Sequence, residues 1–274
     1  MLLSLAALLS ELWWCDMSVQ FNWLYVGGGT ALGKSGYGLG TNSDPLNPLN
    51  LPPFTMRLQY VEGVTPSFSQ GTGVQVSSSP NIWDWTYANT DWGGGFGSGY
   101  DNTLIAVLGA NSTGVVSMRA MFIGFESLAT VALFDTSSCT RMHDMFSDTS
   151  VTSLPAFNTT NVTQLGGVCQ SCIHLTTVPD WNVSAVENIG QAFENCTSLT
   201  EIPDWNIDSV TNMVAAFSGC RNVQTGALAL YQKASSKSIP VTLYLDCFDN
   251  CGSNTTTGQA ELSQIPQDWG GTMA

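Results

Sequence analysis

The sequence predicts a repeat solenoid, with short parallel strands joined by turns or short helices and a β-rich cap at its N-terminal end. Three observations predict it. An apolar pattern recurs every 23–24 residues from about residue 115. Cysteines fall at one position of successive copies: Cys172, Cys196, Cys220 and, after an insertion, Cys251. Only 10% of the 274 residues are charged, against about 25% in an average soluble protein, so Ser, Thr, Asn and Gly must form the surface.

The charge balance excludes several partners. Seven Lys and Arg oppose 21 Asp and Glu, for a net charge of −14 and a pI near 4.1. Nucleic-acid binding needs clustered Lys and Arg against phosphates, and docking on anionic lipid needs the same. No run of 18 apolar residues is present, so a spanning helix is not expected.

Residues 1–24 carry an apolar run, Leu2 to Leu9, without the basic n-region or small-residue cleavage site of a secretory signal. Three readings stay open: a processed signal, a short apolar helix, or a start at Met17. Cys15 sits where a lipoprotein cysteine would, but Trp13 and Trp14 before it do not suit such a site, so membrane association stays open too. Residues 25–52 read as a Gly/Pro-rich linker. Within them, Gly28 to Ser35 satisfies the phosphate-loop pattern G-x-x-x-x-G-K-[ST]. That pattern works only when a helix begins at its Lys-Ser. Here GYGLGTNSDPLNPLNLPP follows, which does not form one, so no nucleotide is expected at Lys34.

Residues 53–100 read as the β-rich N-terminal cap. Phe54 to Tyr60 alternates as a half-buried strand, with Gly73–Val76 as its candidate partner. Asn81 to Tyr87 reads as a short helix or turn that packs its aromatics on the first repeat. A cap is needed because an open first coil would expose the shared core.

Residues 101–226 hold about five 24-residue units. The pattern is V-x-x-M-x-x-(A/M)-F-x-x-C-x-x-L-x-x-(V/I)-P-x-(W/F). The fourth copy shows it in full: Val186, Ile189, Ala192-Phe193, Cys196, Leu199, Ile202 and Trp205. One unit cannot bury its own apolar residues, so stacked units share a core. Each buried apolar side chain contributes roughly 1.5–3 kcal/mol. The L-x-x-(V/I)-P segment is expected as the strand, and V-x-x-M-x-x-A-F as a turn or short helix. Leu104 and Val107 fit an entry half-repeat. Residues 227–274 read as a closing repeat with insertions, marked by Val241, Cys247-Phe248 and Cys251. The recurrent cysteines read as buried rungs. Zinc needs four converging ligands, and neither His143 nor His174 has that spacing to them.

The string Val210-Thr211-Asn212-Met213 with Phe217 and Cys220, preceded by Cys196-Thr197-Ser198-Leu199, resembles BspA-type leucine-rich repeats. These also occur in mycoplasma surface lipoproteins. Phe134-Asp135-Thr136-Ser137 and Asn161-Val162-Thr163 fit the same consensus. The block Asn47 to Trp92 is similar to leaders that precede such repeats in proteins of gut bacteria and their phages. The resemblance implies a leucine-rich-repeat-like solenoid at a cell or virion surface, with adhesive function and no catalytic residues to carry over. Cys139 in place of Val, Thr149 in place of Cys and the unclear leader depart from the pattern.

Two units repeat Pro-Asp-Trp-Asn, at Pro179–Asn182 and Pro203–Asn206. Stacking would set Trp181 beside Trp205 and Asp180 beside Asp204, with Glu201 close by, a set able to stack on sugar rings and bind hydroxyls. The bland alternative makes both Trp residues core rungs and both Asp residues solvated turns. The sequence thus favours a non-enzymatic, extracellular or surface-exposed recognition protein, without cofactor or metal, that binds a host or neighbouring-cell protein or glycan. A structural or receptor-binding part of a phage virion is the alternative. A hydrolase through Lys34 or through Asp180 and Asp204 is the least favoured.

Overall fold

A computed structural model describes residues 44–94 and 102–273. The apolar run Leu2–Leu9, Cys15 and the loop Gly28–Ser35 lie outside the described residues.

Five strands form one mixed sheet. They are β1 (Thr55–Tyr60), β2 (Thr72–Ser78), β3 (Asn81–Thr86), β4 (Leu104–Asn111) and β5 (Thr130–Val131), in the order β2-β3-β1-β4-β5. β1 is central and antiparallel to both β3 and β4, with Leu58 opposite Trp83 on one side and Val107 on the other. Met56, Leu58 and Tyr60 are buried on one face, and Thr55 and Arg57 on the other are buried as well, so this central strand is covered on both sides and is not the half-buried strand its alternation suggested. Arg57 meets its cross-strand partner Asp84 in a two-pronged ion pair, with both N–O distances 2.7 Å.

Two details of the cap differ from expectation. Asn81–Thr86 is a strand, consistent with its aromatic and β-branched content. Gly73–Val76 lies in β2, which pairs with β3 and not with β1. Asn81 organises this corner. Its amide donates to the Val61 and Val64 carbonyls, and its Oδ1 accepts from Gln75 and Trp83.

The fold class requires a correction. The expected leucine-rich-repeat-like solenoid of parallel strands and short helices is not what forms. The architecture is a small β-rich fold with the mixed five-stranded sheet and, among the described residues, only two α-helices. Of the L-x-x-(V/I)-P segments, only Thr130–Val131 becomes a strand, while Glu201 and Thr225 make one isolated bridge. The reason is in the motif: Pro155, Pro179 and Pro203 lack the N–H that a ladder requires.

The V-x-x-M-x-x-A-F segments are chains of consecutive turns. In the fourth copy Ala192, Glu194 and Cys196 each donate to the carbonyl three residues back, at 3.1 Å. Alternate N–H groups of Ile189, Gln191, Phe193 and Asn195 instead reach the next copy, at 2.7–2.9 Å. Two left-handed residues per copy produce this alternation. They are Gln191 (φ 58°) and Asn195 (φ 60°) here, and Asp144 and Asp148 (both 57°) two copies earlier. A left-handed residue every fourth position ends each turn before it propagates as a helix.

The apolar positions then align. Phe122 stacks on Phe146 at 5.5 Å, Phe193 on Phe217 at 5.5 Å, and Phe217 on Phe248 at 6.3 Å. The inserted segment folds as α1 (Ala227–Ser236) and the later one as α2 (Thr256–Leu262). No side chain caps α1 at Gly226; instead the Glu261 carboxylate of α2 accepts from the Leu228 N–H at 3.1 Å. Trp269 lies flat on Tyr244 at 4.5 Å and covers the last copy.

Candidate recognition face

One column of residues repeats across the turn-built copies. Parallel bridges join Asp91 to Ser117, Ser117 to Arg141, Arg141 to Gln164, Gln164 to Asn188, Asn188 to Asn212, and Asn212 to Leu243. Bridged neighbours stand about 4.8 Å apart. Two residues further along each copy lies a second column: Arg119, His143, Gly166, Gly190, Val214 and Leu245. The pair of columns runs from a cation-rich end, through amides, to the exposed aliphatic residues Leu243 and Leu245.

At the cationic end Arg141 reaches Asp91 at 3.5 Å, with both side chains about half exposed (49% and 51%). Such a pair contributes about 0–1 kcal/mol. Burial opposes ionisation of Asp91, but bonds from Ser117 and the Gly93 N–H, with the charges of Arg141 and Arg119, hold its carboxyl below the usual value. Burial lowers the His143 pKa, Arg119 and Arg141 lower it further, and Asp144 opposes them. The buried Nδ1 of His143 has no hydrogen-bond partner.

In the centre, the amides fold back on their own turns. Asn188 Oδ1 accepts from the Gly190 N–H at 2.8 Å, and Asn212 Oδ1 from the Val214 N–H at 3.1 Å. Asn188 Nδ2 points to Gln164 Oε1 at 3.4 Å, one copy away. The amides sit close over glycine: a Cβ on Gly166 would stand 3.1 Å from Asn188 Nδ2, and one on Gly190 3.1 Å from Asn212 Oδ1, so either would push an amide aside. The missing side chains leave a shallow trough of about 400 Å³, walled by Asp144, Asn188, Gln191, Asn212 and Val214.

The five residues singled out in the sequence lie elsewhere. Trp181 and Trp205 are each 2% exposed, so neither ring is open to a sugar, which corrects the stacking expectation. They fill the rung held by Phe134 and Phe157 in earlier copies. Trp181 donates to the Pro155 carbonyl at 3.2 Å, and Trp205 packs between Phe193 and Phe217. Asp180, Asp204 and Glu201 are exposed, but no bond joins them to each other among the described residues. Asp204 pairs with Lys233 of α1. With Asp208 and Lys237 these two line a second depression of about 350 Å³. Lys237 donates to the Ile207 and Val210 carbonyls, so both lysines strap α1 to the turn below it.

The seven described cysteines are unbridged and buried. Burial pushes the Cys139 thiol up to about 11 and the Cys220 thiol up to about 12. Sequence reasoning passed over the bridged column because its residues occupy the unspecified positions of the repeat. The available signal was the polar residue directly before each Met position: Ser117, Arg141, Gln164, Asn188 and Asn212.

Residues 116–230 match a family model described as "Mycoplasma protein of unknown function, DUF285". That span contains the bridged column from Ser117 to Asn212. No curated protein and no solved structure matches the chain. No helix among the described residues is long and apolar enough to cross a membrane.

Proposed function

We propose that the protein is a non-enzymatic recognition protein of a cell or virion surface, akin to the BspA-type repeat proteins it resembles. Its partner is a protein or glycan of a host or neighbouring cell. The observation that supports this reading is the bridged column: six parallel bridges join seven residues in file, and all but the buried Ser117 are at least partly exposed. A partner that meets one of them meets its neighbours at the same spacing. The net charge of −14 steers the protein away from polyanions.

Two measurements test the reading. Antibody labelling of intact producing cells and of purified particles reports where the chain is displayed. Labelled full-length protein added to panels of bacterial and epithelial cells reports capture. Surface labelling with capture that falls on substitution at Arg141, Asn188 or Asn212 is the expected result. A stoichiometric place inside purified particles without cell capture would replace recognition by assembly.

A further inference from the structure

The amide trough carries an inference about ligand chemistry that rests on the recognition reading. We infer that it binds an uncharged, extended glycan lengthwise, with sugars over Asn188 and Asn212 in the trough and a further one over Gln164, the next residue of the bridged column.

The first argument is spacing. Bridged copies repeat at about 4.8 Å, close to the advance per sugar of an extended β-linked polysaccharide. A chain laid along the column therefore brings equivalent hydroxyls to equivalent amides. The second is hydrogen-bond inventory. Each carboxamide offers donors and an acceptor. The Oδ1 atoms of Asn188 and Asn212 already hold the Gly190 and Val214 N–H groups. This fixes each amide plane, so little side-chain freedom is lost on binding. Asn212 Nδ2 has no protein partner among the described residues and is available to a hydroxyl oxygen. The third is shape. Gly166 and Gly190 project no side chain, so the Asn188 and Asn212 amides lie low over the backbone as a polar floor, and Val214 supplies an apolar contact for the C–H face of a sugar ring. The fourth is charge. Asp144 on the wall and the net charge of −14 disfavour uronate or sulfated chains.

The test uses full-length protein and affinity electrophoresis through gels containing hydroxyethyl cellulose, galactomannan or xylan, with alginate as the acidic comparison. Retardation by at least one neutral polymer and none by alginate is expected. Affinity for the matching oligosaccharides should rise with length and level off at about three to four sugars, one per amide rung plus an end effect. Two variants locate the site. Gly190→Leu fills the trough. Gln191→Ala trims its wall at a left-handed position where Ala120 and Ala215 stand in other copies. Each should weaken binding about tenfold or more, with thermal stability of Gln191→Ala near that of the parent.

Retardation that both variants leave unchanged overturns the trough as the site. No retardation by any neutral polymer, while cell capture persists and falls in both variants, overturns the glycan and leaves recognition of a protein. Loss of both retardation and capture in the parent chain overturns the recognition reading as well.

Discussion

The thiol of Cys196 donates to the backbone oxygen of Cys169 at 3.1 Å, one copy earlier in the chain. Cys220 does the same to Phe193, and Cys172 to Phe146, both at 3.0 Å. The carbonyls of Cys169 and Phe193 each also hold an N–H of their own turn, so the thiol takes a second lone pair of the same oxygen. Thr149 stands in the same column and sends its hydroxyl to the Phe146 oxygen at 2.8 Å. Cys172, Cys196 and Cys220 are thus buried rungs, and each of these three ties two copies together.

This burial gives stability a pH dependence of known sign. Burial raises the Cys139 and Cys220 thiols from 9.0 to about 11 and about 12. The unfolded chain releases these protons first, so above its thiol pKa it binds fewer protons than the native state, and stability falls as pH rises. The stabilising contribution is complete below about pH 9 and is lost as pH climbs towards about 12. Thermal melts should show a declining midpoint from about pH 9 upward. The Cys220→Thr variant should decline less over the same interval. Equal slopes for parent and variant would contradict the assignment.

The left-handed residues account for the turn-built copies and yield a second prediction. Asn195 has φ 60° and donates its N–H to the Ser218 oxygen at 2.7 Å. Asn195→Gly keeps this conformation at no steric cost and should change stability by less than about 1 kcal/mol. Asn195→Val places a β-branched side chain in a region it avoids and should cost about 1–3 kcal/mol. Urea denaturation of the two variants measures the difference.

These positions also show where the sequence was legible. The apolar rungs were readable because each recurs at 23–24 residues: Phe193, Phe217 and Phe248 lie where the pattern placed them. Their local conformation was not readable from that pattern. A spacing of three or four apolar residues suits a helix as well as a run of turns, and the deciding residues were unspecified ones such as Asp144, Asn195 and Gly219. The recognition face escaped for the same reason, since it too is written in the polar positions. The Trp pair drew attention through its repetition, but repetition in a stacked core marks burial before it marks binding.

A third prediction concerns the sheet. Arg57 and Asp84 face each other across β1 and β3, with both side chains only 10% exposed. Removing one partner strands the other charge away from water. Arg57→Met should therefore cost about 3–5 kcal/mol. Arg57→Met with Asp84→Leu should regain most of that loss, because a matched apolar pair leaves no buried charge. Denaturation midpoints across the four-member cycle test this. A double variant as unstable as Arg57→Met would show that the pair holds register as well as charge.

The two indoles separate packing from binding. Trp181 and Trp205 occupy equivalent rungs and are equally buried, but of the two indole N–H groups only that of Trp181 has a hydrogen bond, to the Pro155 carbonyl. The buried Trp205 Nε1 has no partner. Replacement by Phe removes similar volume at both positions and suits a rung that Phe134 and Phe157 fill elsewhere. Trp181→Phe also breaks a bond, whereas Trp205→Phe removes an unsatisfied donor. Trp205→Phe should therefore be the less costly by about 1 kcal/mol. Because both rings lie inside the core, neither substitution should alter cell capture or polysaccharide retardation beyond the effect of lost stability. A selective loss of binding in Trp205→Phe, at unchanged stability, would return the Pro-Asp-Trp-Asn turns to the centre of recognition and take the bridged column out of it.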